Sequence, residues 1–405
     1  MGRLLISACA AGALAASNLA LAYEFDLGVD LRGVAIDATQ SRLTGGLGKL
    51  RFDGDQDGLR LGYVHAGVRA DPTETIRVTA EAYAYGDKDV NAIDLTEAYA
   101  EWRQLPSSTW RSRVKLGAFY PEISLENRMH GWRSPYTLSF SAINTWIGEE
   151  IRTIGAEYSL DWLGRSHGHD FDFSVSAAGY GWNDTAGTVI GTRGWGLHDR
   201  QSMLFGRFAN NGSPLPQVTI FADDLDKRAG YYVSAATKYR GLVELRALHY
   251  DNRGDLAVKA TADGDAIWLT YFDSLGARWT PDEAWTFIAQ WLHGRTYADE
   301  DVPHNAWSFN SEFLLASFKH GPMRYSARYD RFEMQQTYSS FEYIPILLAD
   351  DGHAWTLSCS RDFNEHWSVA LEGILTDSDV PLRALMGQPM GAREQMLQLA
   401  VRYEL

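Results

Sequence analysis

The sequence predicts an all-β protein, a transmembrane antiparallel β-barrel, and three observations carry this prediction. Apolar residues alternate with polar or small ones along most of the chain, which is the pattern of strands with two different faces. Short turns alternate with long loops, as at the two rims of a barrel. The chain is also rich in aromatic residues, with 14 Trp, 20 Tyr and 17 Phe in 405 residues, and membrane barrels concentrate aromatic side chains at both membrane interfaces.

The first 22 residues have the layout of a secretory signal peptide. Arg3 supplies a positive charge, an apolar run extends to about Ala16, and Ala20-Leu21-Ala22 forms an A-x-A cleavage site. We expect cleavage after Ala22 and a barrel domain over residues 23–405. Loss of Arg3 would take the net charge from -15 to about -16. The mature chain would keep one cysteine, Cys359, and so could form no internal disulfide.

Six segments show the strand alternation most clearly. In one of them, Trp285, Phe287, Ala289 and Trp291 share one parity while polar or smaller residues take up much of the other. No apolar run after the signal approaches the ~20 residues that a membrane helix needs. The six segments are Ile76–Ala82, Tyr231–Tyr239, Val243–Ala247, Trp285–Trp291, Met323–Tyr329 and Trp367–Leu375.

The connections between strands fall into a short class and a long class. Short turns include Thr280–Glu283 and His320–Pro322, and the long loops lie near residues 37–58, 120–149, 181–228, 252–264, 298–306, 335–352 and 378–393. This division predicts sixteen strands if 181–228 is one loop, and eighteen if Gln201–Phe208 and Gln217–Ala222 form an extra hairpin. We favour sixteen because residues 193–200 have the composition of a loop.

The last strand is expected to close the barrel. Leu397, Leu399, Val401, Tyr403 and Leu405 alternate up to the final residue, so this strand can pair with the first one. The alternative is an ordinary amphipathic edge strand, which would expose unpaired backbone groups to aggregation.

The stretch from Arg111 to Glu149 contains the most unusual connection. A strand ends at Tyr120-Pro121, and about thirty residues follow, compared with a median of ~4–6 for connections in compact domains. The loop is aromatic and lacks the composition of a disordered segment. We predict that this third loop folds into the barrel and constricts its lumen. The alternative is that its aromatic residues cover the barrel mouth or contact a neighbouring subunit.

Residues Gly58–Leu160 resemble the phosphate-selective porin family. The resemblance is carried by Leu95-Thr96-Glu97-Ala98-Tyr99-Ala100-Glu101-Trp102 and by the strand Val114–Phe119, which runs into Tyr120-Pro121-Glu122-Ile123-Ser124-Leu125-Glu126-Asn127. It implies a trimeric outer-membrane channel with sixteen strands and a constricting loop that begins at Tyr120. Channels of that family guide anions along many arginines and lysines, whereas this chain is acidic overall.

The candidate pore-lining residues are charged side chains at inward parity or on the third loop. Opposed rows of fixed charge would favour small polar or zwitterionic solutes. The alternative is that the charges only pair along a hydrated wall, as in structural ion-pair networks. The candidates are Arg103, Arg111, Arg113, Lys115, Glu122, Glu126, Arg128, Arg133, Arg246, Arg278, Arg324 and Arg328.

Other functional signals are weak. Asp53, Asp55 and Asp57 match the first half of a calcium loop, but Val64 stands where the closing glutamate belongs, so a solvated loop is the simpler interpretation. We find no convincing catalytic constellation, and the net acidity argues against nucleic acid. The sequence therefore predicts no catalytic residue and no cofactor.

The predicted function is that of an outer-membrane porin, a passive diffusion channel for small hydrophilic solutes or ions, with anion or phosphate selectivity as an option. The expected partners are outer-membrane lipids, the solutes and two further copies of the chain. Two alternatives remain, a barrel enzyme with its site on the outer wall or rim, and a structural or adhesive barrel with a plugged lumen.

Overall fold

The structure is a computed structural model that describes residues 22–86, 93–105, 108–208, 218–221, 224–258, 266–298, 306–337 and 349–405. Its strands, in chain order, are β1 (Ala22–Asp37), β2 (Gly58–Thr73), β3 (Ile76–Ala84), β4 (Ile93–Arg103), β5 (Trp110–Phe119), β6 (Thr153–Trp162), β7 (Phe171–Gly181), β8 (Arg207–Phe208), β9 (Val218–Thr219), β10 (Gly230–Tyr239), β11 (Val243–Asp251), β12 (Leu269–Trp279), β13 (Trp285–Tyr297), β14 (Ala306–His320), β15 (Met323–Gln336), β16 (Ala349–Asp362), β17 (Trp367–Asp379) and β18 (Gly391–Glu404).

Sixteen of these strands form one closed antiparallel barrel. Each strand pairs with its neighbours in sequence, except that β7 pairs directly with β10. The two-residue strands β8 and β9 pair only with each other and lie outside the barrel sheet. The prediction of sixteen strands is therefore confirmed. The alternative of eighteen barrel strands is wrong, although part of its extra hairpin does form.

The barrel closes through its two terminal strands. β1 and β18 run antiparallel, with register pairs from Gly28 and Glu404 to Asp37 and Gln395. This confirms that the final strand closes against the first and leaves no free edge. Ala22, the last residue of the predicted signal peptide, is the first residue of β1. Residues 1–21 lie outside the described residues.

The two faces of each strand meet different surroundings. On β18, Leu397 and Leu399 point outward and are 51% and 47% exposed, whereas Gln398 and Ala400 between them are buried. This is the two-residue period of a pleated strand. The apolar parity that the sequence marks as lipid-facing is the outer surface of the barrel.

The connections at one rim are short, and those at the other rim are long. We number the long connections as loop 1 (residues 38–57), loop 2 (85–92), loop 3 (120–152), loop 4 (182–229), loop 5 (252–268), loop 6 (298–305), loop 7 (337–348) and loop 8 (380–390). Parts of loops 2 and 4 to 7 lie outside the described residues.

Three short α-helices lie in these loops. They are α1 (Ala142–Glu150) in loop 3, α2 (Thr188–Arg193) in loop 4 and α3 (Leu382–Leu385) in loop 8. The Ser141 side chain accepts a hydrogen bond from the Asn144 backbone N–H and so caps α1. Helix α1 was not predicted because all nine of its residues are buried. It therefore lacks the alternation of an apolar and a polar face that marks a surface helix in a sequence. Within the described part of the chain, no helix combines the length and apolarity needed to cross a membrane.

Candidate functional site

The interior of the barrel has two unlike halves. In the half toward the long loops, residues 136–152 of loop 3 and 183–204 of loop 4 are buried throughout. Most of loop 1 is buried beside them. In the half toward the short turns, the wall carries charged side chains that are partly exposed. We call the first half the filled half and the second half the vestibule.

Loop 3 is fixed to the far wall of the barrel by a buried ion pair. Glu126 of loop 3 lies 2.6 Å from Arg328 of β15, and Arg328 lies 2.7 Å from Asp330 of the same strand. All three side chains are fully buried. Arg328 also donates to the carbonyl oxygens of Ser139 and Phe140, each at 2.8 Å. Because β15 stands almost opposite β5 and β6 in the strand order, loop 3 spans the interior.

Carboxylates of the wall also accept hydrogen bonds from the loop backbone. Glu372 of β17 accepts the N–H groups of Leu138 at 2.6 Å and Ser139 at 3.0 Å. Asp330 accepts the N–H of Ala142 at 3.1 Å. A buried backbone N–H without a partner costs free energy comparable to a lost hydrogen bond. The inward acids of β15 and β17 therefore allow an irregular segment to lie inside the barrel.

Loop 4 enters the same space and is held by its own charges. Asp199 pairs with Arg32 of β1 and lies 2.9 Å from Arg51 of loop 1. The Trp195 N–H donates to Asp350 of β16 at 2.7 Å. The insertion of loop 4 was not predicted, although it is longer than loop 3, because the buried partners of Asp199 and Trp195 on the wall are distant from them in the chain.

The filled half also has an aromatic core. The Trp146 ring of α1 lies between the rings of Phe272 on β12, Phe309 on β14 and Trp195 of loop 4, with centroid distances of 5.2, 5.1 and 6.1 Å. Trp146 is fully buried. Such edge-to-face contacts stabilise beyond simple area burial. This half of the interior is packed like a protein core.

A small cavity remains where loops 3 and 4 meet the wall of β2, β3 and β18. It has a volume of about 10 Å³, close to the least volume that a water molecule needs. Its lining includes Tyr63, Tyr83, Arg133, Gln201 and Arg402. A solute larger than water does not fit in this cavity in the present conformation.

Glu150 links the two inserted helices. Its carboxylate accepts hydrogen bonds from the N–H groups of Val189 at 2.8 Å and Ile190 at 3.1 Å at the start of α2, and from Trp146 Nε1 at 2.5 Å. Burial raises the pKa of Glu150 to about 7, although these hydrogen bonds act in the opposite direction. The contact between loops 3 and 4 therefore contains a carboxyl group that titrates near neutral pH.

The wall of the vestibule carries a cluster of paired charges on β5, β6 and β11. Asp161 lies 2.9 Å from Arg111 and 2.8 Å from Arg113. Glu244 lies 3.0 Å from Arg246 and 2.8 Å from Arg128 of loop 3. Asp161 was not among the predicted residues. Its side chain could have been predicted to point inward, because it lies four residues after the inward Glu157 on the same strand and so on the same face.

Three inward arginines of the vestibule have no such partner. No carboxylate among the described residues lies within 4.0 Å of Arg103 on β4, Arg278 on β12 or Arg324 on β15. Arg324 instead donates to Ser317 at 3.0 Å and lies over the Tyr136 ring. All three residues are partly exposed, although Arg278 stands opposite Glu244 in the strand register and Arg103 acts electrostatically on Asp71.

The structure separates the twelve candidate pore-lining residues into two groups. The first group is at least partly exposed to the vestibule or lies at its edge. The second group, Glu126, Arg133 and Arg328, is buried and ties loop 3 to the wall, Arg133 through Glu404 at the short-turn end of β18. The vestibule group is Arg103, Arg111, Arg113, Lys115, Glu122, Arg128, Arg246, Arg278 and Arg324.

Two of the three aspartates of the half-matched calcium loop have structural partners. Asp53 accepts the Ser41 N–H at 3.1 Å and caps a short 3₁₀ helix at residues 54–56. Asp57 accepts the Ile36 N–H at 2.8 Å. Among the described residues, the acidic side chains close enough to share a cation are instead those of Asp184, Asp224 and Asp226 in loop 4, whereas Asp53, Asp55 and Asp57 form no such group.

Comparison with solved structures finds outer-membrane barrels across nearly the whole chain. OmpF of Salmonella typhi in complex with daunomycin has a TM-score of 0.55 at 11% identity, covering 95% of this chain and 97% of that one. The outer membrane channel DcaP of Acinetobacter baumannii has a TM-score of 0.53 at 10% identity, with coverage of 95% and 97%. An anion-selective porin from Comamonas acidovorans has a TM-score of 0.52 at 12% identity, with coverage of 95% and 100%.

These likenesses concern the fold. No protein-family model matches the sequence, and no curated protein matches it. At 10–12% identity the shared feature is the closed antiparallel barrel. The chain thus has the porin-type barrel architecture.

Replacing Glu126 with Ala should destabilise the barrel by about 3–5 kcal/mol, because it leaves Arg328 buried with one of its two carboxylate partners removed. The measurement is urea unfolding of the refolded protein in lipid, followed by tryptophan fluorescence. Glu312→Ala is the control, since Glu312 is about half exposed and 4.0 Å from Arg331 on the outer surface, where a loss within about 1 kcal/mol is expected. Equal losses in the two variants would contradict the role given to Glu126.

The stability of the filled half should fall as the pH rises from 5 to 8. The pKa of Glu150 is higher in the folded protein, about 7, than its ordinary value of 4.5. The folded state therefore binds this proton more tightly. The resulting stability, up to about 3 kcal/mol, is fully present below pH 4.5, falls as the pH rises toward 7 and is gone above it. Glu150→Gln should flatten this dependence in urea unfolding at pH 5.5 and 8. An unchanged slope would show that other groups control it.

Proposed function

We propose that this protein is a porin of the bacterial outer membrane, a passive channel for small hydrophilic solutes that prefers anions. The observation that carries the proposal is the group of inward arginines with no carboxylate within 4.0 Å among the described residues, Arg103, Arg278 and Arg324. The porin-type barrel and its likeness to outer-membrane channels support the class.

The orientation follows from the two rims. In bacterial barrels the short turns face the periplasm and the long loops face the outside. The vestibule then opens to the periplasm, and the filled half faces the outside. We also propose cleavage after Ala22, assembly as a homotrimer, and contact of the outward apolar parity with outer-membrane lipids.

The anion preference is compatible with the net charge of -15. A channel selects through the charges around its passage, and paired charges cancel at short range. In the cluster on β5, β6 and β11 the bases are matched by acids, so the unpaired arginines determine the sign of the potential that a solute meets. Many of the other acidic residues stand on the outer face or the rims, where they do not line the vestibule.

The packing of Trp146 and the small cavity beside Arg133 favour a second candidate, a structural or adhesive barrel with a plugged lumen. No observation favours the barrel enzyme. The outward His249 lies 2.8 Å from Asp273, but its other cross-strand neighbour is Val233, which offers no nucleophilic hydroxyl.

The purified protein should give discrete conductance steps in planar bilayers, with a reversal potential in a salt gradient of the sign expected for anions. Arg278→Ala and Arg324→Ala should each lower the anion-to-cation permeability ratio by roughly sixfold at low ionic strength. A charge about 8 Å from a passing ion is worth about 0.5 kcal/mol in water, and it acts with opposite sign on anions and cations. Arg361→Ala, at an outward position of β16, is the matched control and should have no effect. A folded barrel that never conducts would favour the plugged alternative, and a cation preference would contradict the anion assignment.

A further inference from the structure

The first turn of loop 3 places a carboxylate among three cations of the vestibule wall. Glu122 lies 3.2 Å from Lys115 Nζ, 3.4 Å from Arg113 Nη1 and 3.7 Å from Arg246 Nη2. Arg113 and Lys115 are on β5, and Arg246 is on β11. The two strands reach the same carboxylate because β6, β7 and β10 curve the wall between them.

Glu122 differs from the other acids of this region in its exposure. Its side chain is 41% exposed, whereas those of Glu157 and Glu244 are 2% and 5% exposed. The carboxylate therefore lies at the surface of the vestibule, where a solute can reach the same three cations. Arg246 also donates to the Glu122 carbonyl oxygen at 2.5 Å, so the start of the loop is held through this site.

The charge balance of the cluster shows what Glu122 contributes. Its ion pairs connect five bases and five acids, so the cluster is neutral as it stands. The other acids lie on strands of the wall, and Glu122 is the one acid of the cluster on loop 3, which also carries the base Arg128. Without Glu122, five positive charges would face four negative ones. The bases are Arg111, Arg113, Lys115, Arg128 and Arg246, and the acids are Glu101, Glu122, Glu157, Asp161 and Glu244.

We infer that Arg113, Lys115 and Arg246 form a binding site for one anionic group of a solute, a carboxylate or a phosphate, and that Glu122 occupies it as a built-in competitor. Exchange of one anion for another leaves the cluster neutral, so displacement requires no buried charge to remain unpaired. It also frees the first turn of loop 3 from the wall. The inference deepens the proposed function, on which it rests, because the solute must enter the vestibule.

Protonation of the Glu122 carboxylate does not release it from the three cations at physiological pH. Lys115, followed by Arg246 and Arg113, holds the pKa of Glu122 well below its usual range, although partial desolvation inside the barrel acts in the opposite direction. The competitor therefore stays charged, and only another anion or a movement of the loop can replace it.

The test is isothermal titration calorimetry of the full-length mature barrel, refolded in detergent, with inorganic phosphate in one arm and acetate in the other. Glu122→Gln should bind at least one of the two anions roughly tenfold more tightly than the wild type, because each charged hydrogen-bond partner that becomes available is worth about a factor of ten or more. The arm with the tighter binding identifies the anionic group.

Glu101→Gln is the matched control. Glu101 lies 3.9 Å from Arg113 and opposite Lys115 in the strand register. Its carboxylate forms an ion pair with Arg113 alone of the three cations, whereas Glu122 contacts all three, so its removal should change the affinity by less than about threefold. In the Glu122→Gln background, Lys115→Gln should abolish the gain. An equal gain in Glu101→Gln would overturn the site, since it would show a general effect of charge.

Failure of Glu122→Gln to bind either anion more tightly than the wild type would also overturn the inference. If that variant does not refold, Glu122→Asp, which withdraws the carboxylate by one methylene, must show a smaller gain in its place. Calorimetry requires no conduction, so the two proposals fail separately. A barrel that binds phosphate without conducting removes the channel, and a conducting barrel without the gain removes the site.

Discussion

An irregular segment can lie inside a barrel only if its backbone polar groups find partners there, and in this protein the inward acids of the wall supply them. Glu372 and Asp330 accept the N–H groups of loop 3, and Glu126 and Arg328 pair between the loop and the far wall. A buried charge without its partner is costly, so the loss of either Glu126 or Arg328 would leave the other charge buried and unpaired. The position of loop 3 depends on this arrangement, and loop 4 repeats it through Asp199.

The same arrangement divides the interior by chemistry. Toward the long loops, charges are buried, paired and surrounded by aromatic rings, so they hold segments in place. Toward the short turns, charged side chains are partly exposed to the vestibule, and we propose that those without ion-pair partners set the potential that a solute meets there. Glu122 stands at the boundary, because it belongs to an inserted loop and yet faces the vestibule. It is the residue through which a solute could affect the loop.

The strands could be predicted from the sequence because successive residues of a strand face opposite sides of the barrel wall, so apolar and polar residues alternate. This alternation placed Lys115 and Arg278 on the inward side. The loops could not be predicted in the same way. Parity has no meaning in a loop, so nothing in the sequence separated Glu122, which is exposed, from Glu126, which is buried. The insertion of loop 4 was missed because its partners, such as Arg32, are distant in the chain.

Strand β16 is expected to face lipid on its outer side. Its inner side is expected to contact the packed interior toward the long loops and water in the vestibule toward the short turns. Nitroxide labels at single cysteines along this strand, with Cys359 replaced by Ala, test this expectation by their accessibility to oxygen and to a polar nickel reagent. Positions 355 and 357 should be accessible to oxygen, 354 and 356 to neither reagent, and 360 to the nickel reagent. Access of the nickel reagent to positions 354 and 356, or a profile without the two-residue period, would contradict the account.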